Sequence, residues 1–256
     1  MSGEDIPRPI TEHLEELRTR LIWVIGTWLA AFGLAFAFAD EVFEILMGPA
    51  VSAVLGSGQK LQAISPPEEF LTWIKTSLLA GFMACLPMTL YQAWAFVSPG
   101  LYHSERKLAG PFVVATTLLF LAGDSFGYYV AFPFVFDFFL NFGPDYIENA
   151  WTTQSVFSFM CRLYLSFGVA FQLPVIMFFL AGAQIVSPAQ MAAARRYAVV
   201  VIFTLGAILT PPDVVSQVML AVPMLVLYEL GILASRLAAR ATDRRTAGTA
   251  EADSSA

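Results

Sequence analysis

The sequence predicts an all-α integral membrane protein with six transmembrane helices and both termini in the cytoplasm. The first observation is composition, because 57% of the 256 residues are hydrophobic and 13% are charged, against roughly 25% charged in soluble proteins. The mean hydropathy is +0.67. The second observation is a series of apolar segments of span length, and the third is the one-sided distribution of the cations between them. Together they indicate a multispanning membrane protein.

The apolar segments give the predicted helices. A helix of about 20 residues, rising 1.5 Å per residue, crosses a hydrocarbon core of about 30 Å. The fifth segment, "YAVVVIFTLGAIL", has only 13 residues and forms about 20 Å of helix. We expect the bilayer to thin beside it or neighbouring spans to shield it. The predicted spans are Leu21–Ala39, Phe70–Phe96, Leu108–Leu140, Ser155–Ala181, Tyr197–Leu209 and Val214–Ala234.

The cations give the orientation. Of the 14 Lys and Arg residues, only Lys60, Lys75 and Arg162 fall on one side of these spans. Cytoplasmic flanks are enriched in Lys and Arg, so the other side is predicted to be cytoplasmic. The loops around residues 40–69, 141–154 and 210–213 then face outward. The cytoplasmic cations are Arg8, Arg18, Arg20, Arg106, Lys107, Arg195, Arg196, Arg236, Arg240, Arg244 and Arg245.

The segments outside the spans are assigned from composition. The long outer loop is predicted to hold a short interfacial helix and to end at Pro66-Pro67, before the second span. The tail from Thr242 is rich in Ala, Thr and Ser and has no apolar period, so we predict disorder there. The membrane domain is assigned to residues 1–236 and the cytoplasmic tail to residues 237–256.

Prolines recur inside the predicted spans. An interior proline removes a backbone hydrogen bond and kinks the helix. Single prolines are common in membrane helices, but several bent helices together favour a curved, concave wall. The five prolines are Pro87, Pro111, Pro133, Pro174 and Pro223.

The motifs of common enzymes are missing from the sequence. "GSGQKL" does not have the spacing of a phosphate-binding loop, and neither His13 nor His103 belongs to a zinc-binding pattern. Cys85 and Cys161 lie in different spans and have no metal-site spacing. The basic residues form no stripe with interleaved aromatics, which argues against nucleic-acid binding. We predict a protein without enzymatic activity, cofactor or metal.

Polar residues within spans are costly and therefore candidates for function. Asp124 lies between Gly123 and Gly127, whose spacing allows close approach of another helix. Its role is either structural, with a Tyr, Ser or water partner, or functional. Asp213, in "TPPDVVSQ", is expected to cap the sixth span, with Gln217 one turn further along the same face.

The stretch "ITEHLEELRTRL" before the first span is acidic where cations are usual. Its apolar residues follow helical spacing, so we predict an amphipathic helix at the cytoplasmic surface in which Glu16 pairs with Arg20. A solvated face with weak ion pairs is the simple interpretation. Glu105, however, lies on the same side of the membrane. Two carboxylates there match a peptide with two arginines, because a guanidinium binds a carboxylate in bidentate fashion.

Five dispersed motifs together resemble one known family, the TatC subunit of the twin-arginine protein translocase. They cover nearly all of the chain from Ile10 to about Arg236, in family order. The motifs are "HLEELRTRL" (13–21), "AFVSPGLYHSERK" (95–107), "GVAFQLPV" (168–175), "ILTPPDVVSQ" (208–217) and "AVPMLVLYELG" (221–231).

The resemblance implies a glove-like concave bundle that acts as the core receptor for twin-arginine signal peptides of folded proteins. It also implies TatA-like and TatB-like single-span partners, self-association, a location in the cytoplasmic (inner) membrane, and export driven by the proton-motive force. Carried over to this chain, the signal-peptide site comprises Glu16, Arg18, Phe96, Pro99, Leu101, Tyr102, Glu105 and Arg106. The polar and aromatic positions of the concave face and outer loop are Pro49, Tyr128, Asp213 and Gln217.

Two positions depart from the family pattern. Gln172 stands in the fourth span where the family often has a glutamate, and Asp124 stands where an apolar or small residue is expected. We hypothesise that Asp124 partly replaces the missing carboxylate. The alternative function is a secondary transporter for a small solute, with Asp124 and Glu229 as proton or ion sites. A scaffold without a ligand would tolerate the loss of both Glu16 and Glu105.

Overall fold

The computed structural model describes residues 10–97, 109–142 and 150–254, and these ranges are almost entirely helical. One isolated bridge joins Gln62 to Thr152. The all-α prediction is confirmed. The helices are α1 (Ile10–Ala37), α2 (Ala39–Gly56), α3 (Glu68–Val97), α4 (Ala109–Phe126), α5 (Phe132–Asn141), α6 (Thr153–Ala170), α7 (Leu173–Gly182), α8 (Pro188–Ala193), α9 (Arg195–Leu209) and α10 (Val214–Ser254).

Within the described ranges, five helical stretches are long and apolar enough to cross a membrane. The short fifth segment of the prediction corresponds to α9, which has 15 residues and a length of about 22 Å. The count of six spans and the location of the termini remain predictions. The five stretches are Thr11–Ala37, Glu68–Phe96, Gly110–Asn141, Thr153–Gly182 and Val214–Leu237.

The N-terminal amphipathic segment differs from its prediction. We expected a separate helix at the membrane surface, but α1 runs without a break from Ile10 to Ala37. No glycine or proline lies between the acidic stretch and the apolar stretch at Leu21, so nothing in the backbone interrupts the hydrogen-bond ladder. The acidic residues therefore extend the first helix instead of lying beside it.

Two of the predicted proline sites interrupt a helix. A π-helical turn, Gly127–Ala131, precedes Pro133 and separates α4 from α5. Such turns accommodate the carbonyl that the proline ring would otherwise strike. The fourth span breaks between α6 and α7, where Pro174 lies in the first turn of α7. By contrast, α3 continues through Pro87 and α10 continues through Pro223.

The described residues form two compact units. The first contains residues 10–43, 73–97 and 109–117. In it, α1 packs on α3: the indole nitrogen of Trp28 donates to the Leu78 carbonyl at 3.0 Å. A Cβ on Gly81 would lie 2.7 Å from the backbone nitrogen of Phe32. The absence of a side chain at Gly81 therefore sets how closely these two helices approach.

The second unit contains residues 44–72, 118–142 and 150–254. Its α4 helix crosses α6 at the predicted pair of glycines. A Cβ on Gly123 would lie 2.5 Å from the Phe167 carbonyl oxygen, and one on Gly127 would lie 3.2 Å from the Phe167 ring. The prediction that this glycine spacing permits close helix packing is confirmed. On the other side of the unit, α7 packs against α10 around Met177 and Ile232.

The C-terminal helix is longer than predicted. α10 continues to Ser254 and so includes most of the tail that we expected to be disordered. Ala and Arg, which recur along this tail, are among the best helix formers, and the tail follows a membrane-length helix that supplies the nucleus. The division of the chain at residue 236 remains a prediction.

Candidate functional site

Glu16 lies on the half-buried face of α1 and already binds a guanidinium. Its Oε1 accepts hydrogen bonds from Nε of Arg20 at 3.0 Å and from Nη2 at 2.5 Å. The predicted pairing of Glu16 with Arg20 is thus confirmed. Nη1 of Arg20 donates to Oε1 of Gln92 on α3 at 3.0 Å. Sequence reasoning did not find this second contact, because it joins residues 72 positions apart.

The end of α3 is also held against α1. The rings of His13 and Phe96 stack with their centroids 4.3 Å apart and their planes 17° apart. α3 ends at Val97, so the first cytoplasmic loop of the prediction begins beside this segment of α1. The stack of Trp94 on Phe112, with centroids 4.2 Å apart, brings the start of α4 to the same place. The start of α4 is therefore held against the end of α3, and the end of α3 against the first turns of α1.

The predicted signal-peptide site is described only in part. Glu16 retains 24% side-chain exposure, Arg18 is exposed, and Phe96 is half-buried. The structure brings Glu16 and Phe96 to neighbouring turns of one packed pair of helices. The remaining five predicted residues, Pro99, Leu101, Tyr102, Glu105 and Arg106, lie outside the described residues.

The arrangement at Glu16 is chemically suited to guanidinium recognition. A carboxylate that accepts two N–H groups from one arginine has the geometry that favours arginine over lysine. Glu12 and Glu15 are exposed on the same helix. We therefore expect a negative potential around this part of α1.

Asp213 and Gln217 are positioned by the junction of α9 and α10. Oδ1 of Asp213 accepts the backbone N–H of Ser216 at 2.6 Å, so the predicted N-cap of the last helix is confirmed. Nε2 of Gln217 donates to the Phe203 carbonyl on α9 at 2.9 Å. Gly206 lies against this side chain: a Cβ there would be 3.4 Å from Cγ of Gln217. Gln217 therefore ties α10 to α9.

Asp124 is buried on α4, with 5% of its surface exposed. Neither carboxylate oxygen accepts a hydrogen bond from any described residue, so the predicted Tyr or Ser partner is not found among them. The nearby hydroxyl of Tyr164 on α6 donates instead to the Leu46 carbonyl at 2.8 Å. A buried carboxyl without a partner is costly, and this makes Asp124 the least satisfied polar residue of the second unit.

Tyr128, Pro49 and Gln172 lie in the same unit as Asp124. The hydroxyl of Tyr128 meets α2 at Gly48, the residue before Pro49, where a Cβ would lie 2.7 Å from it. Gln172 lies at the break between α6 and α7, and its Nε2 donates to the Gly168 carbonyl at 3.3 Å. The predicted polar positions therefore fall on α2, on the π-helical turn, at the α6–α7 break and on α10.

Glu229 binds an arginine of the neighbouring helix α9. Both of its oxygens bind Arg195: Oε1 accepts from Nε at 2.7 Å and Oε2 from Nη2 at 2.9 Å. These hydrogen bonds raise the pKa of the Arg195 guanidinium above its usual value. Because α9 and α10 are antiparallel neighbours, Arg195 at the start of α9 meets Glu229 on α10, 34 residues later in the sequence.

Glu68, at the start of α3, is a structural residue that the sequence analysis missed. Its Oε2 accepts the backbone N–H groups of Ile64 at 2.7 Å and Ser65 at 3.3 Å, and its Oε1 accepts that of Gln154 at 3.0 Å. The backbone of Gln62 completes the junction by bonding Trp151 and Thr153 at 2.9 Å each. One carboxylate therefore joins the end of the loop after α2 to the start of α6.

We expect Glu68→Gln to lower the apparent melting temperature of the purified protein by several degrees. The three backbone N–H groups are bound by two carboxylate oxygens, whereas the amide of glutamine has only one acceptor oxygen. Glu69→Gln is the matched control: Glu69 is the next residue and is exposed. Intrinsic tryptophan fluorescence during heating measures both variants. Equal melting temperatures for the two variants would contradict the role assigned to Glu68.

The chain is similar to proteins of a known family along most of its length. The model of the family described as "Sec-independent protein translocase protein (TatC)" matches residues 12–223. A protein named Sec-independent protein translocase protein TatC from Desulforapulum autotrophicum is 39% identical over 243 residues, covering 95% of this chain and 90% of its own. The protein of the same name from Helicobacter pylori strain J99 is 40% identical and covers 88% of each chain.

A solved structure is also similar to this one. The chain in "Crystal Structure of Twin Arginine Translocase Receptor- TatC" superposes with a TM-score of 0.76 at 38% identity, covering 88% of this chain and 99% of that one. Similarity of this extent spans both compact units and all five membrane-length helices.

Proposed function

This chain belongs to the TatC family of Sec-independent protein translocase proteins, and we propose on that premise that Glu16 and the first cytoplasmic loop receive the twin arginines of signal peptides. The protein is a non-enzymatic membrane component of the translocase. In the proposed site, Glu16 receives one arginine and Glu105 receives the other. Arg18, Phe96, Pro99, Leu101, Tyr102 and Arg106 form the surroundings.

The observation that carries this proposal is the contact between Glu16 and Arg20. The carboxylate accepts Nε and Nη2 of a guanidinium at 3.0 and 2.5 Å, and it remains partly accessible, with 24% exposure. A signal-peptide arginine can adopt the same geometry. On its arrival Arg20 keeps a hydrogen bond to Gln92, so the displaced cation is not left without a partner.

The reach of the first cytoplasmic loop supports a joint site. Phe96 stacks on His13, which lies one turn before Glu16. Glu105 follows Phe96 by nine residues, a stretch that spans at most about 30 Å. Arginines adjacent in a peptide point to different sides of the chain, so a pair of carboxylates on different segments suits them better than one carboxylate does.

The other parts of the family function are proposals of the same kind. We place the protein in the cytoplasmic membrane with both termini in the cytoplasm, because 11 of its 14 cations lie on one side of the spans. TatA-like and TatB-like single-span subunits are the proposed partners, self-association is expected, and the proton-motive force is the proposed energy source. Pro49, Asp124, Tyr128, Gln172, Asp213 and Gln217 are the proposed polar and aromatic positions for contact with partner helices.

Family membership favours this function over a secondary transporter. The transporter alternative requires Asp124 and Glu229 as ion sites, yet both oxygens of Glu229 are engaged by Arg195. A carboxylate held in this way contributes to the junction of α9 and α10 and is a poor exchange site.

The decisive experiment measures binding of fluorescent signal peptides to the full chain in lipid nanodiscs. An Arg-Arg peptide is compared with its Lys-Lys counterpart, and Glu16→Ala and Glu105→Ala are compared with Glu15→Ala, an exposed neighbour. We expect the Lys-Lys change and each of the two site variants to weaken binding about tenfold or more, because each removes a charge-assisted contact of about 1.5–3 kcal/mol. Glu15→Ala should bind like the wild type. Equal binding of the two peptides would refute the proposed site.

A further inference from the structure

A polar stripe runs down one face of α6, a helix that begins the membrane-length stretch Thr153–Gly182. The stripe consists of Ser155, Ser158, Arg162 and Ser166, at positions i, i+3, i+7 and i+11, which share a face of a helix. It covers 12 residues, from Ser155 to Ser166, with a rise of about 16 Å along the helix. Ser155, Ser158 and Ser166 each form a hydrogen bond with a described residue. Arg162 is the member of the row that still needs water or a polar partner.

The junction of α9 and α10 contacts the last residue of this stripe, Ser166. The hydroxyl of Ser166 donates to the carbonyl of Leu209, the last residue of α9, at 2.9 Å. Ser166 is 13 residues into α6, a distance of about 20 Å along the helix. The end of the short α9 therefore lies about 20 Å along α6 from the start of that helix. A recess lies between the start of α6 and the turn at Pro211.

Arg162 lies in this recess. A cavity of about 590 Å³ is lined by Glu68, Thr152, Ser155, Ser158, Arg162 and Pro211 among others. Helical side chains lean toward the N-terminus of their helix, so we expect the guanidinium to extend toward Ser158. Arg162 is nine residues into the membrane-length stretch that begins at Thr153, or about 14 Å along the helix.

Arg162 is exposed, and its guanidinium makes no hydrogen bond or ion pair with any described residue. The nearest acidic side chain in the cavity lining, Glu68, is already engaged, because both of its oxygens accept backbone N–H groups. An arginine inside a membrane span costs several kcal/mol unless it finds an anion or water. The chemistry of the site therefore calls for an external anion.

We propose that Arg162 and the neighbouring serine hydroxyls bind the phosphate of a phospholipid from the leaflet at the Thr153 end of α6. A guanidinium fork matches two phosphate oxygens. The surface below the guanidinium fits the acyl chains: Leu165, Val169 and Ile176 are 39%, 54% and 52% exposed. They continue along α6 and α7 toward the other end of the stretch. A charged group at one end of an exposed apolar strip selects a lipid over free phosphate.

The test is native mass spectrometry of the delipidated full chain titrated with phosphatidylglycerol. We expect the wild type to retain bound lipid and Arg162→Gln to bind it about tenfold more weakly or worse. Arg162→Lys should lie between the two, because it keeps the charge but loses the fork. Lys60→Gln, which removes an exposed cation of the loop after α2, should bind like the wild type. Melting temperatures of all variants show whether each is folded.

Two further measurements distinguish a lipid site from a site for free phosphate and from an ion pair within the protein. Inorganic phosphate and glycerophosphoglycerol, at the concentration of the lipid, should not displace it. Displacement would assign the site to free phosphate and overturn the proposal. Asp145→Asn with Glu148→Gln should leave lipid binding unchanged. A rise in lipid affinity would show that one of these residues, both outside the described ranges, is the partner of Arg162, and it would overturn the proposal. Equal binding by the wild type and Arg162→Gln would also overturn it.

Discussion

Gly123→Ala, which adds a single methyl group, should destabilise the protein strongly. A Cβ at this position would lie 2.5 Å from the Phe167 carbonyl oxygen, 3.0 Å from its carbonyl carbon and 2.9 Å from the Phe171 ring. Two of these atoms belong to the backbone of α6 and cannot rotate away, so α4 and α6 must separate. Overpacking of this kind costs about 1–3 kcal/mol or more, which lowers the melting temperature of a protein of this size by several degrees.

The control for this experiment is Gly33→Ala. Gly33 is also a helical glycine, on α1, and a Cβ there meets nothing within 4 Å. The alanine should leave the melting temperature unchanged or raise it slightly, because alanine is the better helix former by about 1 kcal/mol. Tryptophan fluorescence during heating and the monodispersity of the detergent-purified protein report both variants. A smaller loss for Gly123→Ala than for Gly33→Ala would contradict the close crossing of α4 and α6.

Asp124→Ala, at the next residue of the same helix, should instead stabilise the protein. The carboxylate is 5% exposed and neither oxygen has a hydrogen-bond partner among the described residues. Removing an unsatisfied buried polar group recovers about 1–3 kcal/mol, and alanine adds helix propensity. We therefore expect a higher melting temperature for Asp124→Ala than for the wild type. A lower one would mean that the carboxyl has a partner outside the described ranges.

The same variant tests whether Asp124 replaces the glutamate that the family often has at the position of Gln172. In cells without their own TatC, export of a reporter with a twin-arginine signal peptide is measured for Asp124→Ala and for Gln172→Ala. Our hypothesis predicts that Asp124→Ala is more stable yet exports poorly, as expected where a strained polar group is kept for function. If Asp124→Ala exports normally while Gln172→Ala does not, the hypothesis fails.

Local pattern was sufficient for much of the fold. Hydropathy located α3, α9 and the start of α10 to within a few residues, since membrane spans need a fixed length of apolar sequence. It missed the N-terminal extension of α1 and the C-terminal extension of α10 because both are polar. The start of α3 at Glu68 after Pro66-Pro67 and the cap at Asp213 follow from short-range backbone chemistry. The Glu16–Arg20 pair and the packing role of Gly123 could also be predicted, because each depends on helical spacing alone.

Contacts between distant segments could not be predicted in this way. Glu229 binds Arg195 across 34 residues and Glu68 binds the backbone of Gln154 across 86. Hydropathy says where a helix lies but not which helix it packs against or at what depth, since every apolar face fits the lipid equally well. Arg162 is a clear example. The sequence shows its charge. The recess beside it depends on the contact between Ser166 and Leu209, which only the tertiary structure shows. Helix register and depth are set by the packing of many side chains at once, and so the tertiary structure alone decided them.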